Sequence, residues 1–286
     1  MSEVVNGKSR IIDEEDGRYF LKQTDKDIGN LFEYLHQRGF DYIPEIVETS
    51  NEGIKYKYIE SNNEDINLKR IELAKVLSFL HYKTTEHKDV SKYKYREIYD
   101  KLSEKCEYIS KYYDDLIEKI EMEAYPSPSH YLLERNFSLI LGSINFIKSE
   151  LKRWFKLVED KQKERVCIVN NNPRLNHLII GKNEVLTNWD SYMVDTPIID
   201  LYKLYKNDRN YEEFGEIYSE YNENFKLTEE EKKLFFIMIA IPPKIVEVSS
   251  EVINTKNVKE IINYLSKTNK FISSVNSKKE VNNKSN

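Results

Sequence analysis

The sequence is poor in cysteine and in long apolar runs. It has two cysteines in 286 residues, Cys106 and Cys167, without the spacing of a metal site. This excludes a disulfide-built secreted scaffold and fits a reducing compartment. No apolar run reaches the roughly 18 residues of a membrane-spanning helix, and the N-terminal MSEVVNGKSR lacks the apolar core of a signal peptide. We therefore expect a cytoplasmic protein without a membrane partner.

Neither positive nor negative charge dominates the sequence. Lys and Arg number 44 against 49 Asp and Glu, which gives a net charge of −5. Such a near balance gives no electrostatic case for a nucleic-acid partner. Glycine is scarce, with eight residues in the chain, and no glycine-rich phosphate loop precedes Lys22. The hydrophobic content of 40% is enough for a core, and the length fits one large domain or two lobes.

The first 60 residues combine strand patterns with one helix pattern. Strands are predicted from about Val4 to Gln23 around a polar turn at 13–17, followed by an amphipathic helix at 27–38. A second hairpin is predicted over 41–60. Residues 1–60 are therefore expected to form a small β/α lobe, and the polar segment 61–65 a hinge.

Helical periodicity dominates residues 66–272. The apolar spacing predicts helices at 68–81, 93–122, 129–159, 211–221, 228–240 and 255–271. Thr228 with Glu231 forms a capping-box pattern. His81, at the end of its helix, is assigned a structural role. The polar residues 273–286 have no periodicity and are predicted to be a disordered tail.

The chain is organised around residues 165–206. This stretch is predicted to contain a strand, a polar turn at Asn170–Pro173, and two short strands joined by Gly181–Asn183. A helix follows, because Thr196 before Pro197 suits an N-cap and a proline in the first helical turn. Asp200 then lies in that first turn, where the free amides favour a carboxylate, and we assign it a structural role.

This stretch resembles the catalytic core of the aminoglycoside/choline phosphotransferase branch of the protein-kinase-like fold. The resemblance extends to the spore-coat-associated kinase-like proteins of low-GC Gram-positive bacteria. Their pattern is His-x-Asp, four residues, Asn, a hairpin ending in Ile-Asp-Trp/Phe-Asp/Glu, and Pro-x-x-Asp-Leu. The matching residues are Trp189, Asp190, Pro197, Asp200 and Leu201. The resemblance implies an α+β, two-lobed fold with a small β-rich N-terminal lobe and a larger, mostly helical C-terminal lobe.

The positions that carry the chemistry of that pattern are changed. Asn170 stands at the His, Asn172 at the catalytic Asp, His177 at the metal-binding Asn, and Asn188 at the metal-binding Asp. Phosphoryl transfer needs a carboxylate to orient the attacking hydroxyl and Mg²⁺ to hold the phosphates. An Asn amide cannot take a proton near neutral pH, and Mg²⁺ prefers carboxylate oxygens and water. The pattern therefore predicts a degraded catalyst.

The resemblance also implies a nucleotide site. Lys22 would hold phosphates and pair with Glu33, and Tyr58 to Glu60 would line the base site. Lys22 could equally be a solvent-facing strand lysine. Asp190, two residues after Asn188, would share a strand face with it and could serve as a metal ligand or catalytic group, or it could face solvent.

Three functions remain open from the sequence. The first is a pseudokinase that binds a nucleotide, a metabolite or a protein. The second is an active small-molecule phosphotransferase that uses ATP and Mg²⁺ with Asp190 as a metal ligand. The third is a non-catalytic interaction or scaffold protein, related to the spore coat, that needs no cofactor.

Overall fold

The computed structural model describes residues 2–6, 9–24, 26–62, 65–208, 211 and 213–284, with the backbone alone for 2–6 and 278–284. Its strands are β1 (Ser2–Asn6), β2 (Ser9–Glu14), β3 (Gly17–Lys22), β4 (Ile46–Ser50), β5 (Gly53–Lys57), β6 (Glu86–Asp89), β7 (Lys163–Val169), β8 (Leu178–Ile180), β9 (Glu184–Leu186) and β10 (Met193–Asp195). Its helices are α1 (Ile28–Gln37), α2 (Ile66–Thr84), α3 (Lys94–Glu121), α4 (Pro128–Arg135), α5 (Phe137–Val158), α6 (Ile198–Asn207), α7 (Phe214–Asn224), α8 (Glu229–Ala240) and α9 (Glu251–Lys284). The small antiparallel sheet and the larger helical part confirm the predicted α+β class.

The N-terminal strands form an antiparallel sheet in the order β1-β2-β3-β5-β4. Lys22 pairs with Ser9 on β2 and with Ile54 on β5, so its strand is bonded on both sides. Gly53 starts β5 with φ +132°, and a Cβ there would lie 2.3 Å from the Lys22 carbonyl oxygen. Only glycine fits this close approach, which fixes the backbone beside Lys22.

Helix α1 buries the apolar face that the sequence predicts, and the ring of its Phe32 lies 6.4 Å from that of Tyr56 on β5. Asp27 caps its N-terminus by accepting a hydrogen bond from the Asn30 N–H at 3.1 Å. The buried positions recur at helical spacing, namely Ile28, Leu31, Phe32 and Leu35. Asp65 caps α2 in the same way, through the Asn67 N–H at 2.6 Å.

The chain divides into two compact units. The first contains residues 1–86, 165–204 and 216–226, and the second contains 87–164, 205–215 and 227–286. The predicted catalytic stretch thus belongs to the same compact unit as the N-terminal strands. The predicted hinge 61–65 lies between β5 and α2, and two of its residues, Asn63 and Glu64, lie outside the described residues.

The first unit also contains most of the small strands of the central stretch. Strands β8 and β9 form a hairpin in which Leu178 pairs with Leu186. Strand β7 pairs antiparallel with β10, so that Val169 lies opposite Met193. The polar turn between β7 and β8 ends in a 3-10 turn at Leu175–His177, and a second 3-10 turn covers Trp189–Ser191. These strands place the two ends of the predicted catalytic stretch beside each other.

The second unit is helical, and one of its predicted helices is interrupted. The predicted helix 129–159 is broken into α4 and α5 at Asn136, whose side chain donates to the Leu132 carbonyl at 2.8 Å. An asparagine side chain that bonds the backbone competes with the backbone hydrogen bonds of the helix.

A tight aromatic cluster forms part of this unit's core: Tyr205, Phe214, Phe235 and Phe271.

The segment from Ser273, which the sequence predicts to be a disordered tail, is helical where the structure describes it. Helix α9 continues to Lys284, while Ser285 and Asn286 lie outside the described residues. Ser274 and Ser277 donate their hydroxyls to helical carbonyls three and four residues earlier. Polar residues without an apolar stripe can therefore continue a helix that its first part has already nucleated. Among the described helices, none is long and apolar enough to cross a membrane.

Candidate functional site

A cavity of about 640 Å³ lies within the first compact unit. Strands β2, β3 and β5 form one wall, and residues from the central stretch form the other. Aromatic and aliphatic side chains make up about half of the lining, and the Lys22 ammonium lies opposite the Asp190 carboxylate. The lining residues used below are Phe20, Lys22, Tyr56, Tyr58, Ile179, His177, Asn188 and Asp190.

Lys22 is the charged centre of this cavity. Its Nζ donates to Asn188 Oδ1 at 2.6 Å and lies 2.6 Å from Asp190 Oδ2. The Lys22 side chain is 16% exposed, and that of Asp190 is 38% exposed. The ammonium therefore holds together the two side chains that the sequence offers as metal ligands.

The position of Asn188 and Asp190 differs from the predicted strand face. Strand β9 ends at Leu186, Asn188 has left-handed backbone with φ +60°, and Asp190 lies in the following 3-10 turn. Asparagine tolerates this conformation better than most residues. The sharp turn, and not strand alternation, brings both side chains to Lys22.

Trp189 fixes that turn. The buried Trp189 indole donates from Nε1 to the Leu186 carbonyl at 2.7 Å. Its ring packs edge-on against Phe32 and Phe40 on the α1 side, with centroids 6.0 and 6.2 Å away. Burying a tryptophan among aromatic rings with its N–H satisfied is a strong local anchor, so the direction of Asp190 is set by packing.

The predicted base position, Asn172, lies in the turn after β7. Its Oδ1 accepts a hydrogen bond from Arg174 Nε at 3.1 Å, and its carbonyl accepts one from His177 Nδ1 at 2.8 Å. The His177 ring also lies 3.4 Å from Asn188 Nδ2. Burial lowers the pKa of His177, although its hydrogen bond to the Asn172 carbonyl opposes that change. His177 is half-buried, and its lowered pKa favours the neutral imidazole.

Asp200 holds the backbone of this turn. Its two carboxylate oxygens accept hydrogen bonds from the N–H groups of Asn170, at 2.8 Å, and Asn171, at 2.7 Å. The fully buried His81 lies 3.1 Å from Asp200 through Nε2 and 2.5 Å from Tyr221 Oη through Nδ1. Because a carboxylate only accepts, Nε2 must carry the proton that it donates. Structural roles were predicted for Asp200 and His81 from the sequence, but the contact between their side chains was not predicted.

The predicted nucleotide-binding residues do not all meet. Tyr58 lines the cavity, and the Arg18 guanidinium lies 4.9 Å from the centroid of its ring. Glu33 is exposed on α1 and bonds Gln37 at 3.3 Å, so the predicted Lys22–Glu33 pair is replaced by Lys22–Asp190. Glu60 is exposed and is not among the lining residues, whereas its neighbour Ile59 is.

The apolar walls of the cavity were not predicted from the sequence. Phe20 and Lys22 lie two residues apart on β3, and Tyr56 and Tyr58 two residues apart near the end of β5. Alternation along a strand puts such pairs on one face. Because side chains two residues apart on a strand point to the same face, the position of Lys22 indicates that Phe20 also lines the cavity.

The residues at this site do not fit a Mg²⁺ ion. Mg²⁺ needs near-octahedral oxygen ligands at about 2.0–2.1 Å and is usually held by one or two carboxylates. Here the predicted ligands are one carboxylate, one amide and one imidazole, and Lys22 already bonds the first two at 2.6 Å. Within the described part of the chain, no cluster of three or more His, Cys, Asp and Glu side chains could hold a metal.

Comparison with known proteins identifies the fold. No protein-family profile and no curated protein matches the sequence. An aminoglycoside phosphotransferase from Alicyclobacillus acidocaldarius is similar in structure, with a TM-score of 0.65 at 10% identity over 98% of this chain and 92% of that chain. The AMP-bound spectinomycin phosphotransferase APH(9)-Ia gives 0.52 at 16% identity, over 94% of this chain and 92% of that one.

A microcompartment-associated aminopropanol kinase is a third similar structure, with a TM-score of 0.50 at 9% identity over 96% of this chain and 93% of that chain. Identities this low reflect a shared fold and do not transfer an activity. The chain has the protein-kinase-like fold that these small-molecule phosphotransferases share.

Proposed function

We propose that this protein is a catalytically degraded phosphotransferase-like protein that binds a nucleotide in the cavity of its first compact unit. The observation that carries the proposal is Asn172. An amide stands where the resemblance expects the catalytic carboxylate, and its oxygen already accepts a hydrogen bond from Arg174 at 3.1 Å. An amide cannot accept the proton of an attacking hydroxyl, and losing a positioned base costs about 10²- to 10⁴-fold in rate.

The cavity supports nucleotide binding. Its volume of about 640 Å³ lies within the range of small-molecule sites. Aromatic side chains such as Phe20 and Tyr56 offer faces for a base, and Lys22 offers a donor for phosphate. A protein of the same fold, APH(9)-Ia, was crystallised with AMP, which makes adenine nucleotides the first ligands to test.

The other two functions are less well supported. An active phosphotransferase is favoured by the place of Asp190 on the cavity wall, but one oxygen of this carboxylate is already paired with the Lys22 ammonium. A scaffold with a cleft filled by its own side chains would leave no cavity of this size. A protein partner and a role in a spore coat have no feature in their favour among the described residues.

Calorimetric titration with ATP, ADP and AMP, combined with a transfer assay using radiolabelled ATP, tests the proposal. We expect saturable binding of at least one nucleotide, and phosphate transfer and ATP hydrolysis no faster than without protein. Transfer that is abolished in Asp190→Asn and retained in Asp195→Asn would establish the active phosphotransferase instead. Absence of binding by all three nucleotides would overturn nucleotide binding.

A further inference from the structure

We infer that the Lys22 ammonium takes the place of a metal ion at this site, so that the cavity binds a phosphate-bearing ligand without any divalent cation. The inference rests on the proposed nucleotide binding and extends it. The inference identifies the cation that contacts the ligand phosphate, and therefore whether the site binds a metal-free or a metal-bound ligand.

The geometry is that of a cation shared by two oxygen ligands. Lys22 Nζ lies 2.6 Å from both Asn188 Oδ1 and Asp190 Oδ2. An ammonium has three N–H donors, and among the described residues only these two oxygens accept from it. The third donor remains for a ligand oxygen, while a Mg²⁺ ion could reach the same two oxygens only after displacing Lys22.

The charges at the site agree with this assignment. Asp190 is the one carboxylate among the cavity-lining residues, and the Lys22 ammonium balances it. His177 and Asn188 add no negative charge, because neither an imidazole nor an amide is anionic. A divalent cation would therefore meet one shared carboxylate and two neutral groups, and its cost of dehydration would be poorly offset.

Two fixed features hold the ammonium in place. Lys22 lies at the end of β3, bonded on both sides within the sheet, where Gly53 permits the close approach of β5. On the opposite wall, the packed Trp189 indole sets the turn that carries Asn188 and Asp190. The cation and its two ligands thus come from elements that are positioned independently of any ligand.

The inference also defines the ligand class. One monovalent ammonium can offset less phosphate charge than Mg²⁺, and it shares its charge with Asp190. We therefore expect metal-free AMP and ADP to bind at least as tightly as ATP. The second lysine that lines the cavity, Lys57 at the end of β5, does not change this expectation because its Nζ lies 3.3 Å from a Glu45 carboxylate oxygen.

Calorimetric titration with ADP in EDTA and in excess Mg²⁺ tests the inference. We expect excess Mg²⁺ not to tighten the binding of ADP to the wild-type protein, and Lys22→Met to lose about 10- to 100-fold in affinity, as expected for a charge-assisted hydrogen bond. Lys55→Met is the matched control. Lys55 lies on the same sheet, also bonds a carboxylate at 2.6 Å, and is 14% exposed, but it does not line the cavity. Melting curves confirm that both variants fold.

The complementary variant restores the expected metal ligands. His177→Asn with Asn188→Asp adds a second carboxylate beside Asp190, and we expect ADP binding to become at least about tenfold tighter with Mg²⁺. The inference is overturned if Mg²⁺ tightens ADP binding to the wild-type protein tenfold and Asp190→Asn removes that effect.

A nucleotide-free measurement separates this inference from the proposed function. Electron paramagnetic resonance of Mn²⁺ reports the free ion. We expect the wild-type protein to leave the Mn²⁺ signal unchanged, and Lys22→Met combined with Asn188→Asp to reduce it. If no nucleotide binds, the proposed nucleotide binding is rejected, but the role of Lys22 as the internal cation is not. If the wild-type protein binds Mn²⁺ and Asp190→Asn abolishes this binding, the internal cation is rejected, but nucleotide binding is not.

Discussion

Replacement of Asp200 by alanine should destabilise the protein strongly, although this residue does not line the cavity. Its fully buried carboxylate accepts hydrogen bonds from the Asn170 and Asn171 amides and lies 3.1 Å from His81 Nε2. Each hydrogen bond to a charged group contributes about 1.5–3 kcal/mol, but the three are not additive because they share one acceptor. We expect Asp200→Ala to lower the free energy of unfolding by about 3–5 kcal/mol, because three hydrogen-bond donors lose their shared acceptor.

Urea denaturation followed by circular dichroism measures this loss, and thermal melting should show a decrease of roughly 6–20 °C at about 2–4 °C per kcal/mol. Hydrogen exchange adds a local readout, since the Asn170 and Asn171 amides should lose protection more than the strands do. Asp195→Ala is the control, because Asp195 accepts a bond from its neighbour Thr196 at 2.7 Å and should cost only about 1 kcal/mol. A loss below about 1 kcal/mol for Asp200→Ala would refute the reasoning.

Two further predictions concern other parts of the chain. Burial alone would lower the pKa of His130, but its hydrogen bonds to Glu123 and Glu247 outweigh burial and raise it. The stability that His130 contributes should therefore be fully present below about pH 6.5 and be lost as the pH rises through its folded-state pKa. The difference in melting temperature between wild type and His130→Phe should shrink accordingly from about pH 6 to about pH 9, and a difference that grows over this range would contradict the assignment. Gly53→Ala should cost about 2 kcal/mol or more, because its Cβ would lie 2.3 Å from the Lys22 carbonyl. Gly142→Ala, with nothing within 4 Å of its Cβ on α5, should be neutral or stabilising by up to about 1 kcal/mol in the same melting assay.

Sequence periodicity predicted most of the elements because their apolar spacing is strong. The β2–β3 hairpin, α1 with its four buried residues, and the capping box of Thr228 and Glu231 all appear where the pattern places them. These features depend on residues within a few positions of each other, which is the range that a sequence pattern reports.

The long-range connections of the site could not be predicted from the sequence. His81 and Asp200 are separated by 119 positions, and no local pattern indicates that they meet. The Lys22–Glu33 pair was wrong for a similar reason, because a strand–helix ion pair depends on the orientation of α1, while Lys22 reaches Asp190 instead. The left-handed backbone at Asn188 was equally hidden, since asparagine only permits that conformation and does not require it.

The contacts of Asp200 have a consequence for how this protein can change. Asp200 holds the turn after β7 through main-chain N–H groups, and every residue except proline has such a group, whatever its side chain. Side chains at positions such as 172 and 177 can therefore be exchanged while the carboxylate continues to fix the path of the backbone. Evolution or an engineer can therefore change the side-chain chemistry of this turn without rebuilding its backbone.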